Sequence, residues 1–148
     1  MCYRVGLVLG LCIQVASVHA DMVDGRLADA VVRGWLEQGR DRLSARMPAG
    51  IRSVERIADF YVVSLDPEGF VVVAGDDEIE PIVAFSDTGS FDSDAASPLF
   101  ALASGDLAGR TAWVRDVRAA RSTSGRTTDT RVQAAEARIQ TARAKWQT

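Results

Sequence analysis

Cysteine and histidine are nearly absent from this chain: 148 residues hold two of the first and one of the second. All three, Cys2, Cys12 and His19, stand in the first twenty positions. The body of the chain therefore has no Cys–His or Ser–His pair for nucleophilic catalysis. It also lacks the sulfur and imidazole ligands that zinc sites use. The two cysteines belong to an apolar segment and imply no disulfide framework. A glycine-rich phosphate loop is missing too, since Gly69, Gly75 and Gly89 are isolated turn glycines. The formal net charge is −3, and a mildly acidic chain carries no electrostatic footprint for nucleic acid.

The first twenty residues follow an export pattern. Arg4 supplies a positive start, Val5 to Val18 is an apolar run, and Val18-His19-Ala20 ends it with residues that a signal peptidase reads. The run is short for a bilayer span, which needs roughly 20 apolar residues. The expectation is a signal peptide over residues 1–20, cleaved after Ala20, and a secreted product, periplasmic or extracellular. Removing those twenty residues from 148 leaves 128, one ordinary domain. Arg4 is the only charge lost, so sixteen basic and twenty acidic residues remain, a net −4. No later stretch is apolar enough, for long enough, to give the mature chain a membrane span.

Leu27, Val31 and Trp35 recur every four residues, and Leu36, Leu43 and Met47 continue an apolar face. This period predicts an amphipathic helix from about Asp24 to Arg46, stopped by Pro48-Ala49-Gly50. Val54 to Ile57 reads as a short strand. Phe60 to Leu65 and Phe70 to Ala74 are rich in aromatic and β-branched residues. Asp66-Pro67-Glu68-Gly69 between them is a turn sequence, so the pair predicts a β-hairpin. Both strands are apolar at most positions, which places the hairpin centrally with both faces covered. Pro81 to Phe85 reads as another strand, followed by a polar loop from Ser86 to Ser97 in which Phe91 is the single large apolar residue. Ser97-Pro98 is a helix start. Phe100, Ala103, Leu107, Arg110, Val114 and Val117 then predict a helix to about Ala120. Residues 121–130 read as a linker. Val132, Ala135, Ile139, Ala142 and Trp146 predict a tail helix that docks on the domain, frays in solution or packs on a partner.

Two acid clusters remain as candidates for chemistry: Asp76, Asp77, Glu78 and Glu80 in one turn, and Asp87, Asp92 and Asp94 in the next loop. Paired carboxylates can do acid–base work and oxygen clusters can bind calcium. Neither cluster has the calcium-loop spacing, and Asp76 and Asp77 fit best as residues that shape their turn. Phe91 either tucks under its loop as an anchor or presents a contact to a partner.

The order Phe60-Tyr61-Val62-Val63-Ser64-Leu65, Gly69-Phe70-Val71-Val72-Val73-Ala74-Gly75-Asp76-Asp77, Pro81-Ile82-Val83-Ala84-Phe85-Ser86 and Gly89-Ser90-Phe91-Asp92 resembles the prodomain of the streptopain family of secreted cysteine peptidases. The same module occurs as a free-standing inhibitor of those enzymes. Order and spacing hold from about Leu27 to Val117. The resemblance implies a small domain that covers the active-site cleft of a papain-like peptidase. It implies a loop after Gly-Ser-Phe-Asp that approaches the catalytic pocket with a small amide side chain. Here that loop is Asp92 to Pro98. Neither it nor the rest of the chain contains asparagine, so that contact is not carried over.

The expected fold is α+β: a small antiparallel sheet with a central hairpin, packed against an N-terminal helix and a following helix, plus the tail helix. The expected division is signal peptide 1–20, inhibitory domain 21–120, linker 121–130 and tail 131–148. The expected function is non-enzymatic, with no catalytic residue, metal or cofactor. Its partner is a streptopain-like cysteine peptidase, contacted through Phe85, Ser86, Asp87, Phe91, Asp92, Asp94, Ser97 and Pro98. Three other readings stand beside it: a fragment of a truncated or split proenzyme, a secreted ligand-binding or adhesive domain on the same fold, and an acid-based hydrolase using Asp76 and Asp77.

Overall fold

The computed structural model describes residues 23–38, 50–123 and 130–147. The expected signal peptide, Leu43, Met47 and most of the expected linker lie outside them. In chain order the elements are α1 (Gly25–Gln38), β1 (Gly50–Ile57), β2 (Phe60–Asp66), β3 (Phe70–Ala74), β4 (Ile82–Ser86), α2 (Pro98–Thr123) and α3 (Thr130–Lys145). The four strands form one antiparallel sheet in the order β1-β2-β3-β4. The α+β class and the helix and strand layout match the sequence expectation.

Asp24 caps α1: its Oδ1 accepts from the Leu27 amide at 2.8 Å and its carbonyl from the Ala28 amide at 3.1 Å. Ala28, Val31, Val32 and Leu36 bury one face of the helix. On the opposite side Arg33 makes two bonds to Asp29, at 2.7 and 3.0 Å. That hydrogen bond, and then the charge of Asp29, raises the Arg33 guanidinium above its ordinary value. Residues paired across antiparallel strands share a face. The register Val54↔Val63↔Val71↔Phe85 therefore puts these four on the α1 face. Tyr61 lies on that face too, and its hydroxyl donates to the Val23 carbonyl at 2.8 Å.

The other face carries Phe60, Val62, Phe70 and Val72. Phe91 packs there on Phe60 and Phe70, and Phe100 of α2 on Phe60. Because two layers cover the sheet, β2 and β3 are buried almost throughout. Fully burying a residue such as Val or Phe contributes roughly 1.5–3 kcal/mol, so this hairpin is the energetic centre of the fold.

Three elements differ in extent from the sequence reading. β1 starts at Gly50, four residues early, because Ile51 also pairs, with Leu65, across a register shift between Ile51 and Ser53. The extra residue sets Ile51 and Val54 on one face at a spacing of three, which hides the strand from a period-two search. β4 begins at Ile82 and runs to Ser86, so Pro81 precedes it. α2 runs to Thr123, three residues past the expected end. Among the described residues, Trp113, Leu102 and Phe85 are the large apolar side chains left exposed.

Candidate functional site

Of the expected contact residues, Phe85, Ser86 and Asp87 lie at one end of the sheet, where the β2–β3 turn meets the start of the 86–97 loop. Asp66–Pro67 is a cis peptide. Gly69 follows with φ +99°, a conformation that glycine adopts freely. Leu65 N–H donates to Gly69 O at 2.9 Å, closing the hairpin, and Gly69 N–H donates to Gly89 O at 2.8 Å. The reciprocal bond comes from a side chain, with Glu68 Oε2 accepting from the Gly89 amide at 3.1 Å. A Cβ on Gly69 would stand 2.7 Å from the Ser86 carbonyl. Turn and loop are therefore one unit, fastened mainly through backbone groups. On β1, Arg52 adds a bond to the Pro67 carbonyl and an ion pair to Asp66 at 3.5 Å.

The loop is shaped by its own polar side chains. Ser86 Oγ donates to the Thr88 carbonyl at 2.8 Å. Asp92 Oδ1 accepts from the Asp94 amide at 3.0 Å, and Asp94 Oδ1 from the Ala96 amide at 2.8 Å. These are local side-chain turns that hold a fixed path without regular structure. Ser97 is buried; its N–H donates to the Asp94 carbonyl, and its own carbonyl receives the Ala101 amide at 3.0 Å. It is the residue from which α2 starts, with Pro98 exposed at the first helical position.

The eight expected residues are thus near one another in the chain but unlike in exposure. Asp87, Asp92, Asp94 and Pro98 are exposed and Ser86 half-buried. Phe91 is half-buried, its ring 5.5 Å from Phe70 and 6.0 Å from Phe60, which is the anchor position. Phe85 is 40% exposed on the edge strand β4 and stacks at a tilt on Trp35 of α1 at 5.0 Å. Sequence reasoning did not include Trp35, Glu68 or Gly69 in the site. The Glu68–Gly89 bond spans 21 residues, and no local spacing signals it.

The other acid cluster sits at the opposite end of β3 and is occupied from within. Glu78, 9% exposed, lies between Arg118 at 2.5 Å and Arg143 at 2.6 Å. Asp77 pairs with Arg143 at 3.5 Å and Glu80 with Lys145 at 2.5 Å. Asp76 Oδ1 accepts the Glu78 amide at 2.9 Å and thereby shapes the turn. Trp146 donates from its indole to the Ile79 carbonyl at 2.9 Å and is itself buried. The tail helix docks on the domain through these groups. Among the described residues no group of three or more His, Cys, Asp or Glu side chains is arranged to hold a metal ion. None of the described helices is long and apolar enough to cross a membrane.

No curated protein and no solved structure matches the chain. A family model does: the one described as Spi protease inhibitor covers residues 20–106. That span exceeds half of the 148 residues and runs from the cap of α1 through the hairpin and the loop into α2, so the chain belongs to the Spi family of protease inhibitors.

Proposed function

We propose that the chain is an exported, non-enzymatic module that occludes the active-site cleft of a streptopain-type cysteine peptidase. The carrying observation is the 86–97 loop, which projects exposed side chains while bonds from Gly89 to the β2–β3 turn and turns made by Asp92 and Asp94 fix its path. A loop ordered in the free protein loses little conformational entropy on binding. Clefts blocked by proteins cover roughly 800 Å² per partner, an area that a domain of this size can present. Asp87, Asp92, Asp94 and Pro98, with Ser86 and Phe85 beside them, face the peptidase. Phe91 and Ser97 hold the loop from below. The leader directs the chain through a membrane and is cleaved after Ala20.

The test is inhibition of a purified streptopain-type peptidase by the chain from Asp21 to Thr148. Micromolar or tighter reversible inhibition is expected. Replacing Asp87, whose carboxylate has no partner among the described residues, by alanine weakens it without lowering the melting temperature. A folded chain that the peptidase ignores, or simply digests, would end the proposal.

A further inference from the structure

The exposed edge of α2 sets large apolar side chains and opposite charges at symmetric spacing, and we propose that two copies of this chain pair along it. Leu102 is 70% exposed and Trp113 38%. Leu102, Asp106, Gly109 and Trp113 fall at i, i+4, i+7 and i+11 on the helix, a single seam about 16 Å long. Ala103, Leu107 and Val114 bury a different face of the same helix. A Cβ placed on Gly105 or Gly109 would meet nothing within 4 Å. Arg110 flanks the seam and pairs with Asp106 at 2.7 Å. A single exposed leucine is ordinary. Here, however, the seam ends at a groove of about 580 Å³ between α2 and α3, walled by Trp113, Val114, Ile79, Ala137 and Ala142.

The order along the seam is Leu102, Gly105-Asp106, Gly109-Arg110, Trp113, with two residues in each gap. An antiparallel two-fold axis between Leu107 and Ala108 exchanges position 102 with 113, 105 with 110 and 106 with 109. It brings Leu102 to the partner's Trp113 and the apolar groove beside it. Asp106 then lies over the partner's Gly109, next to the partner's Arg110, and the same contacts recur by symmetry. Charge meets opposite charge, a knob meets a groove, and the glycines let the two backbones approach. A surface complementary to itself under a two-fold axis is what a closed, isologous dimer requires. It also covers the two large apolar side chains that α2 leaves in solvent.

Sedimentation velocity of the chain from Asp21 over a concentration series tests this. A reversible dimer is expected. Leu102→Asp raises its dissociation constant at least about tenfold and leaves the melting temperature unchanged, because the side chain is exposed. Asp106→Arg and Arg110→Asp each weaken the dimer. The double variant D106R/R110D restores it, because the pairs between copies re-form with signs exchanged. A monomer at every concentration, a dimer indifferent to Leu102→Asp, or a double variant that restores nothing each overturns the proposal. So does a monomer in which Leu102→Asp abolishes peptidase binding, which would give this face to the peptidase.

Discussion

The two ends of the β3 strand are held by different forces. At the Gly69 end, the turn and the loop are joined by one main-chain bond and the Glu68 carboxylate, so the outward side chains of the loop are spared. At the Glu78 end, four acidic side chains are shared among Arg118, Arg143 and Lys145, and the surface there is consumed by the tail helix. Five strand residues, roughly 17 Å, separate them. A contact surface needs fixed backbone and free side chains. Only the first end offers that combination, although the second has the denser cluster of charge. Counting acids in a sequence therefore singles out the end whose charged side chains are already paired within the domain.

Four substitutions break or sharpen this contrast. Trp146→Ala has the largest expected effect. It removes the buried indole and its bond to the Ile79 carbonyl, and costs about 3 kcal/mol of tail docking. Hydrogen exchange should show the amides of α3 losing protection while those of β2 and β3 keep theirs. Peptidase inhibition should not change, and an equal loss of inhibition would show that the two ends are coupled.

Gly69→Ala comes next, at about 2 kcal/mol by chemical denaturation. The new Cβ would meet the Ser86 carbonyl in a backbone conformation disfavoured for alanine. Inhibition should weaken with it, because the loop loses its seat. Glu78→Gln should cost about 1–2 kcal/mol, since two arginines then lose their shared carboxylate in a mostly buried place. Part of the difference from the parent chain should shrink at high salt, because Arg118 is solvent-facing. Glu68→Gln is the smallest change, within about 0.5 kcal/mol of the parent in stability. It is nevertheless expected to raise the inhibition constant by a measurable factor through the weakened Gly89 bond.

Much of the scaffold was legible without coordinates. The hairpin shows as two apolar β-branched runs around a Pro–Gly turn, and its burial on both faces follows from the missing alternation. Phe100 to Val117 reads as a helix because a single face is apolar. What stayed hidden depends on long-range partners. The seat of the tail helix joins Glu78 to Arg143, 65 residues apart, and nothing local marks Trp146 as the residue that reaches Ile79. β1 was half-read because the residue added at Arg52 shifts the phase of its side chains. At the candidate site, the expectation for the stretch 85–98 came from its resemblance to a family. It left open whether Phe91 points inward or outward, since a lone aromatic in a polar loop fits both. The rings of Phe60 and Phe70 decide that it points inward.

The paired bonds between Glu68, Gly69 and Gly89 have a consequence for how such a chain can diversify. Gly69 and Gly89 are tied through their backbones, so a change that moves either displaces the other. The stretch between Phe91 and Ser97, by contrast, is held by bonds among its own residues, so exchanging it as a unit leaves the scaffold beneath it intact. Retargeting to a new enzyme could then proceed by trading a handful of neighbouring codons.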